Sequence, residues 1–246
     1  MDSQSSIDST LLDHEGPWTE AAYLALKHDG RVEVVDGTLL IGPGAHPRRT
    51  HAIERVREAV AAALPDGLVA RGPVPLRLGP DCVLVPDLVV TAAANADQPA
   101  DEPGDDGAEE AAADADTAVL ATTVLEPVVL DAAAALMVIE VVGSDHGATD
   151  RSFKLQLYSR SRIPYSVLVD HDAPFAVADM IIGGRYHEYA RAGDGENLLI
   201  EEPFRLELDL AGISTPDPEP PAQPPEPTAP TQALPVLPTE EPGVKA

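Results

Sequence analysis

Hydrophobic positions along the chain switch between a helical and an alternating period, and the switches mark its elements. Trp18, Ala21, Ala22, Leu24 and Ala25 recur at helical spacing, which predicts a helix over 18–27 with Thr19 as its cap. Arg31–Val35 and Thr38–Ile41 read as strands on either side of Asp36-Gly37, a two-residue hairpin turn. Past Gly42-Pro43-Gly44, the residues Ile53, Val56, Val60 and Leu64 return at intervals of three and four, an amphipathic helix over 48–64 that Pro65-Asp66-Gly67 closes. Short strands follow at Leu68–Ala70, Val74–Leu78 and from Cys82 to Val90. Leu136–Val142 reads as a buried strand, and 149–160 as a helix with Thr149 at its N-cap. Tyr165–Asp170, Ala176–Ile182 and Arg185–Ala190 are three more strands, the last two joined at Gly183-Gly184, and Leu198–Ile200 with Phe204–Leu208 add an edge.

This order predicts an α/β or α+β domain with a mixed, bent sheet, one folded unit over 17–212. Residues 1–16 are polar and read as a disordered N-terminus. Residues 93–135 are rich in Ala, Asp and Glu with no aromatic residue, and read as an acidic insertion. Within it, Val119–Leu130 is either a weak strand or more of the insertion. Residues 213–246 read as a proline-rich, disordered tail, since 11 of the 31 residues from Pro216 onward are proline. No internal repeat is present.

A net charge of −26 argues against nucleic acid as a partner, because DNA affinity rests largely on Lys and Arg neutralising phosphates. The distribution changes that picture. Residues 93–135 hold 11 acids and no base, and 216–246 hold 5 acids and one base, so −15 of the charge lies in those two stretches. The remainder is moderately acidic. Cys82 is the single cysteine, which excludes an intrachain disulfide and thiolate-rich zinc sites. No apolar run approaches the ~18–20 residues of a membrane span, and no basic, apolar leader opens the sequence, so a cytoplasmic protein without membrane association is expected. The histidines form no helical two-histidine zinc motif, no spacing argues for a Ser-His-Asp arrangement, and no glycine-rich phosphate loop is present.

The chemistry sits elsewhere. Val85-Pro86-Asp87-Leu88-Val89-Val90 and Leu136-Met137-Val138-Ile139-Glu140-Val141-Val142 each set one carboxylate in or beside a run of apolar residues, and Asp150-Arg151-Ser152-Phe153-Lys154 places a lysine on the following helix. An ionised carboxylate is almost never fully buried unless it is paired or holds a metal. Two acids and a lysine suit metal-dependent phosphodiester hydrolysis. A few carboxylate oxygens hold Mg²⁺, and a nearby ammonium orients the attacking water or stabilises developing charge. Structural alternatives stand beside this reading: Asp87 as a strand-start turn acid, Glu140 as a salt-bridge partner of Arg151, and Glu33 as an outward strand residue. Asp145 and His146 are either an extra ligand pair or a solvated loop.

Those residues carry a resemblance. Arg31 to Leu39 with its Asp36-Gly37 turn, His51 opening a helix, and Val85–Val90 resemble the Uma-two family, restriction-endonuclease-like proteins of the PD-(D/E)XK nuclease superfamily. Val138–Val142, Asp150-Arg151, Lys154, Tyr158, Ile163-Pro164-Tyr165, Val169-Asp170, Gly184-Arg185-Tyr186 and Pro203-Phe204 continue the match in register. The resemblance implies a restriction-endonuclease-like central mixed sheet flanked by helices, and an endonuclease hydrolysing DNA with Mg²⁺, or Mn²⁺, as cofactor. Its acidic motif falls on Glu33, Asp87 and Glu140 as metal and catalytic residues. The lysine that normally lies two residues after the second acid is replaced by Val142, and Lys154 matches the position from which this family supplies it. Tyr158 matches a family tyrosine and is expected to pack. The segment Gly143-Ser144-Asp145-His146-Gly147 departs from the family's Ser-Pro pattern, and the acidic insertion would repel DNA. The competing reading is a catalytically inactive nuclease fold serving as a binding or regulatory module, with the tail docking a protein partner. A homodimer is compatible with either.

Overall fold

The computed structural model describes residues 14–28, 30–42, 46–95, 129–143, 148–193 and 195–214. The tail, most of the insertion, and Asp145 and His146 lie outside the described residues. The chain opens with α1 (Glu20–Ala25), where the Thr19 hydroxyl accepts the Ala22 amide as an N-cap. It is shorter than the pattern predicts because Leu26 already takes an extended conformation. Strands β1 (Val32–Val35) and β2 (Thr38–Ile41) form the expected hairpin, and Asp36 and Gly37 both take positive φ, 48° and 71°. Next comes α2 (Pro47–Ala63), with proline in its first turn and Ala52, Val56 and Val60 on its buried face.

Strands β3 (Leu68–Arg71), β4 (Leu76–Gly79), β5 (Cys82–Leu84) and β6 (Leu88–Ala92) follow. The predicted single strand from Cys82 to Val90 is therefore two. Pro86 has no amide hydrogen to give a ladder, and the chain leaves one sheet and enters another across Val85-Pro86-Asp87. Inside the span read as an insertion, β7 (Leu130–Asp131) pairs in parallel with β4, and Leu130 is buried. Strand β8 (Ala135–Val142), helix α3 (Ala148–Arg160), strands β9 (Tyr165–Asp170), β10 (Phe175–Ile182), β11 (Arg185–Ala192), β12 (Asn197–Ile200) and β13 (Leu206–Asp209), and helix α4 (Leu210–Ser214) complete the order.

In place of one bent sheet there are a five-stranded sheet, β2-β1-β5-β4-β7, a six-stranded mixed sheet, β11-β10-β9-β8-β6-β3, and the separate pair β12-β13. In the six-stranded sheet β8 runs antiparallel to β6 and parallel to β9, with α3 as the crossover to β9. One face of that sheet (Leu88, Val90, Met137, Ile139, Val141) packs with the buried stripe of α2 and with β12 and β13. The other face (Val89, Val138) packs with Leu157 and Tyr158 of α3 and with Leu76 and Leu84 of the five-stranded sheet. A third cluster joins Tyr23 of α1 to Val32, Val34 and Val83. Both faces of β1 are covered, so Glu33 is buried rather than outward. Among the described residues no helix is long and apolar enough to cross a membrane.

Candidate active site

Strand alternation decides which acids can meet. Asp87 precedes Leu88, and Leu88 is paired with Ile139, so the antiparallel register carries Asp87 alongside Glu140. Both lie on the Val89 and Val138 face, which α3 and the five-stranded sheet cover. The Val141 amide donates to Asp87 Oδ2 at 2.7 Å, fixing that carboxylate across the strand pair. Glu33 comes in from β1, where its Oε1 accepts the Val85 amide at 2.8 Å. From α3, Lys154 Nζ lies 2.9 Å and 2.7 Å from the two oxygens of Glu33 and 3.8 Å from Glu140 Oε1. Tyr158, one helical turn on, donates its hydroxyl to Glu140 Oε1 at 2.5 Å. Glu33, Asp87, Glu140 and Lys154, named from the sequence, thus form one buried cluster.

Two arginines complete it. The Arg31 guanidinium reaches all three acids: Nε to Glu33 Oε1 at 3.4 Å, Nη1 to Asp87 Oδ1 at 3.2 Å, and Nη2 to Glu140 Oε2 at 2.6 Å. Arg49, in the first turn of α2, donates from Nη2 to Asp87 Oδ1 at 2.5 Å and from Nε to the Val141 carbonyl at 3.0 Å. Arg31 is thus a salt-bridge partner of Glu140; the Arg151 side chain lies outside the described residues. The sequence reading gave neither arginine a role, although signals for both exist. Arg31 is two residues from Glu33 and so shares its face, and Arg49 lies one turn before Ala52 on the buried stripe of α2. Tyr158 does pack, and also binds a site carboxylate.

Three acids face three cations, so the cluster is formally neutral. The acids expose 5% of their side-chain surface and Lys154 6%, against 13% for Arg31 and 14% for Arg49, so the arginines are the more exposed of the three cations. Burial pushes the Glu140 carboxyl up, but Arg31, Lys154 and the Tyr158 hydroxyl outweigh it and hold Glu140 below the usual carboxylate range. Burial also pushes Asp87 up, and with the Glu140 charge beside it this prevails over Arg31, Arg49 and the Val141 amide, so Asp87 is raised. The two acids therefore titrate apart, as neighbouring carboxylates sharing a cation do. Tyr158 is pushed well above the ordinary phenol value, by burial first and then by Glu140 and Glu33, and keeps its proton to donate.

The backbone of the site is also tightly packed. A Cβ on Gly72, in the loop after β3, would lie 2.0 Å from the Asp87 carbonyl oxygen, so only glycine lets that loop approach.

Compared with known structures, the chain is similar to a crystal structure of a candidate nuclease belonging to DUF820 from Anabaena variabilis. The TM-score is 0.57 over 80% of this chain and 98% of that one, at 15% identity. The two share a fold. It is mixed α+β, with large mixed sheets flanked by few helices, consistent with a restriction-endonuclease-like architecture. No protein-family model matches the chain, and no curated protein matches it either.

The oxygens of the cluster are of the type a hard divalent cation takes. Asp87 Oδ1, Glu140 Oε2 and the Val141 carbonyl are hard oxygens on adjoining strands, and guanidinium groups already stand against them as cations. Among the described residues no group of three His, Cys, Asp or Glu side chains is set as a ready metal site. In the present arrangement the cations these oxygens face are the protein's own.

Proposed function

We propose that the domain is a metal-dependent endonuclease that hydrolyses DNA phosphodiester bonds at the Glu33, Asp87, Glu140 and Lys154 cluster. The observation that carries the reading is the single Arg31 guanidinium touching three carboxylates, from β1, from the start of β6 and from β8. Asp87 and Glu140 would hold the cation with Glu33 assisting, Mg²⁺ or Mn²⁺ suiting such oxygens, and the cation would neutralise the phosphate and acidify an attacking water. Lys154 stands between Glu33 and Glu140 with its ammonium placed to orient that water or stabilise developing negative charge. Tyr158 fixes the rotamer of Glu140, and the Val141 amide fixes Asp87. The arginines supply the positive surface that a phosphate would meet first.

The test is nicking of supercoiled plasmid with Mg²⁺ or Mn²⁺, run beside calorimetric metal titration. Wild type should cleave. Lys154→Ala should lose cleavage with metal affinity about the same or slightly higher, because lysine is no ligand and its charge opposes a cation in the site, and Asp87→Ala should lose both. Equal cleavage by Lys154→Ala refutes the assigned mechanism. One observation favours a second reading, a catalytically idle nuclease fold used as a binding module: the cluster is already charge-neutral within the chain. That reading takes over if wild type cleaves no nucleic acid and its melting temperature ignores Mg²⁺ and Mn²⁺.

A further inference from the structure

Building on the nuclease reading, we infer that Arg31 and Arg49 gate metal entry. Their guanidinium groups hold the oxygens that a divalent cation would take, so the cation binds only as they withdraw. The overlap is atom for atom. Asp87 Oδ1 carries both arginines, Glu140 Oε2 carries Arg31, and the Val141 carbonyl carries Arg49. A cation bonded at ~2.1 Å to these oxygens would occupy the space the guanidinium nitrogens now approach, and would repel them as a like charge. The remaining oxygens do not offer an equal site. Asp87 Oδ2 is bound to the Val141 amide, Glu140 Oε1 to the Tyr158 hydroxyl, and Glu33 to the Val85 amide and Lys154.

Position also separates the arginines from the other cation. Lys154 is as buried as the acids, whereas Arg31 and Arg49 are the more exposed of the three cations and carry their charge on long, flexible stems. Guanidinium groups pair with phosphate as readily as with carboxylate, so an incoming phosphodiester gives them somewhere to go. Metal and nucleic-acid phosphate would then enter together, and the free protein would bind metal weakly.

The experiment is calorimetric Mn²⁺ titration of the full chain without nucleic acid, for wild type, R49Q, R49K and R49Q/D87N. R49Q should bind Mn²⁺ about tenfold more tightly than wild type, since one competing cation is gone. R49K should fall between them, because an ammonium keeps the charge but cannot span Asp87 and the Val141 carbonyl with a planar fork. R49Q/D87N should return to wild-type affinity or weaker, which places the gain at Asp87. If R49Q fails to fold, R49K decides the matter. The gate is refuted if R49Q and R49K bind no more tightly than wild type, or if the gain survives D87N. Because no nucleic acid is present, failure of wild type to nick plasmid overturns the nuclease reading without touching this result. A wild type that nicks, beside variants that bind Mn²⁺ no better, overturns the gate alone.

Discussion

Arg31→Met gives the most direct measure of what holds the cluster. The substitution keeps an unbranched, flexible apolar stem and removes the guanidinium whose charge touches Glu33, Asp87 and Glu140. Removing one partner from a buried ion pair costs about 3–5 kcal/mol, because the other is left buried and uncompensated. Arg49 and Lys154 remain on the same acids, so the low end applies, about 3 kcal/mol, which for a protein of this size lowers the melting temperature by roughly 6–12 °C. The pH dependence follows from the two titrations. Glu140 is depressed, so its contribution is present above its ordinary value of 4.5 and lost as pH falls through the lower folded value. Asp87 is raised, so its contribution is present below its ordinary value of 3.8 and lost as pH rises through the folded value. Removing Arg31 weakens the first effect and strengthens the second. Both changes penalise the variant more as pH rises toward neutrality. The gap between wild type and Arg31→Met, read by circular dichroism melts between about pH 3 and pH 8, should therefore be widest near neutral pH and close in acid. A variant that melts within a degree of wild type at neutral pH, or a gap that stays constant in acid, refutes the reasoning.

Tyr158→Phe removes a donor to a buried carboxylate and should cost about 1.5–3 kcal/mol by chemical denaturation, with Glu140 titrating higher; an unchanged midpoint would mean the hydroxyl contributes nothing. Gly72→Ala forces a methyl group against the Asp87 backbone and should destabilise by about 1–3 kcal/mol. Gly30→Ala is the control: its added Cβ meets nothing, and it should stay within roughly 0.5 kcal/mol of wild type. Deleting 96–116 removes nine acids and no base, and should strengthen binding to a short DNA duplex at low salt, with the gain fading as salt rises. Equal affinity of the two proteins at low salt would show that this charge does not reach the binding surface.

The parts of the fold that were legible in the sequence are those with a strict local code. Asp36-Gly37 and Gly183-Gly184 each take the positive φ that a tight hairpin turn needs, and Tyr165–Asp170 has the bounds its apolar run suggests. The exchange of sheets at Pro86 was hidden because the residues on either side are equally apolar, and a buried strand looks the same in either sheet. The burial of Glu33 was hidden for a related reason. Alternation assigns a side chain to a face but does not say whether that face is covered, and here both are. The arginines were missed because a charged side chain is most often solvated, so the positions of Arg31 on the Glu33 face and of Arg49 on the buried stripe of α2 carried little weight on their own.

A purely structural account of the cluster has to explain why the chain buries charge where apolar residues would serve. Replacing a buried ion network with well-packed hydrophobic residues is often neutral or stabilising, so such a network is weak evidence for stability on its own. Isolated structural pairs would also be one to one. Here Asp87 is shared between two arginines, Arg31 among three acids, and Lys154 between two, with the contributors drawn from β1, β8, α2, α3 and the junction before β6. Holding so many like-charged groups at one point spends folding energy on their mutual repulsion, and the two acids are driven to titrate apart as a result. The arrangement makes physical sense if the point where they converge has a second occupant in the working protein, one that the arginines replace while it is absent. A divalent cation with a phosphodiester is that occupant in the reading adopted here, and the Mn²⁺ affinity of R49Q against wild type is where that reading meets measurement.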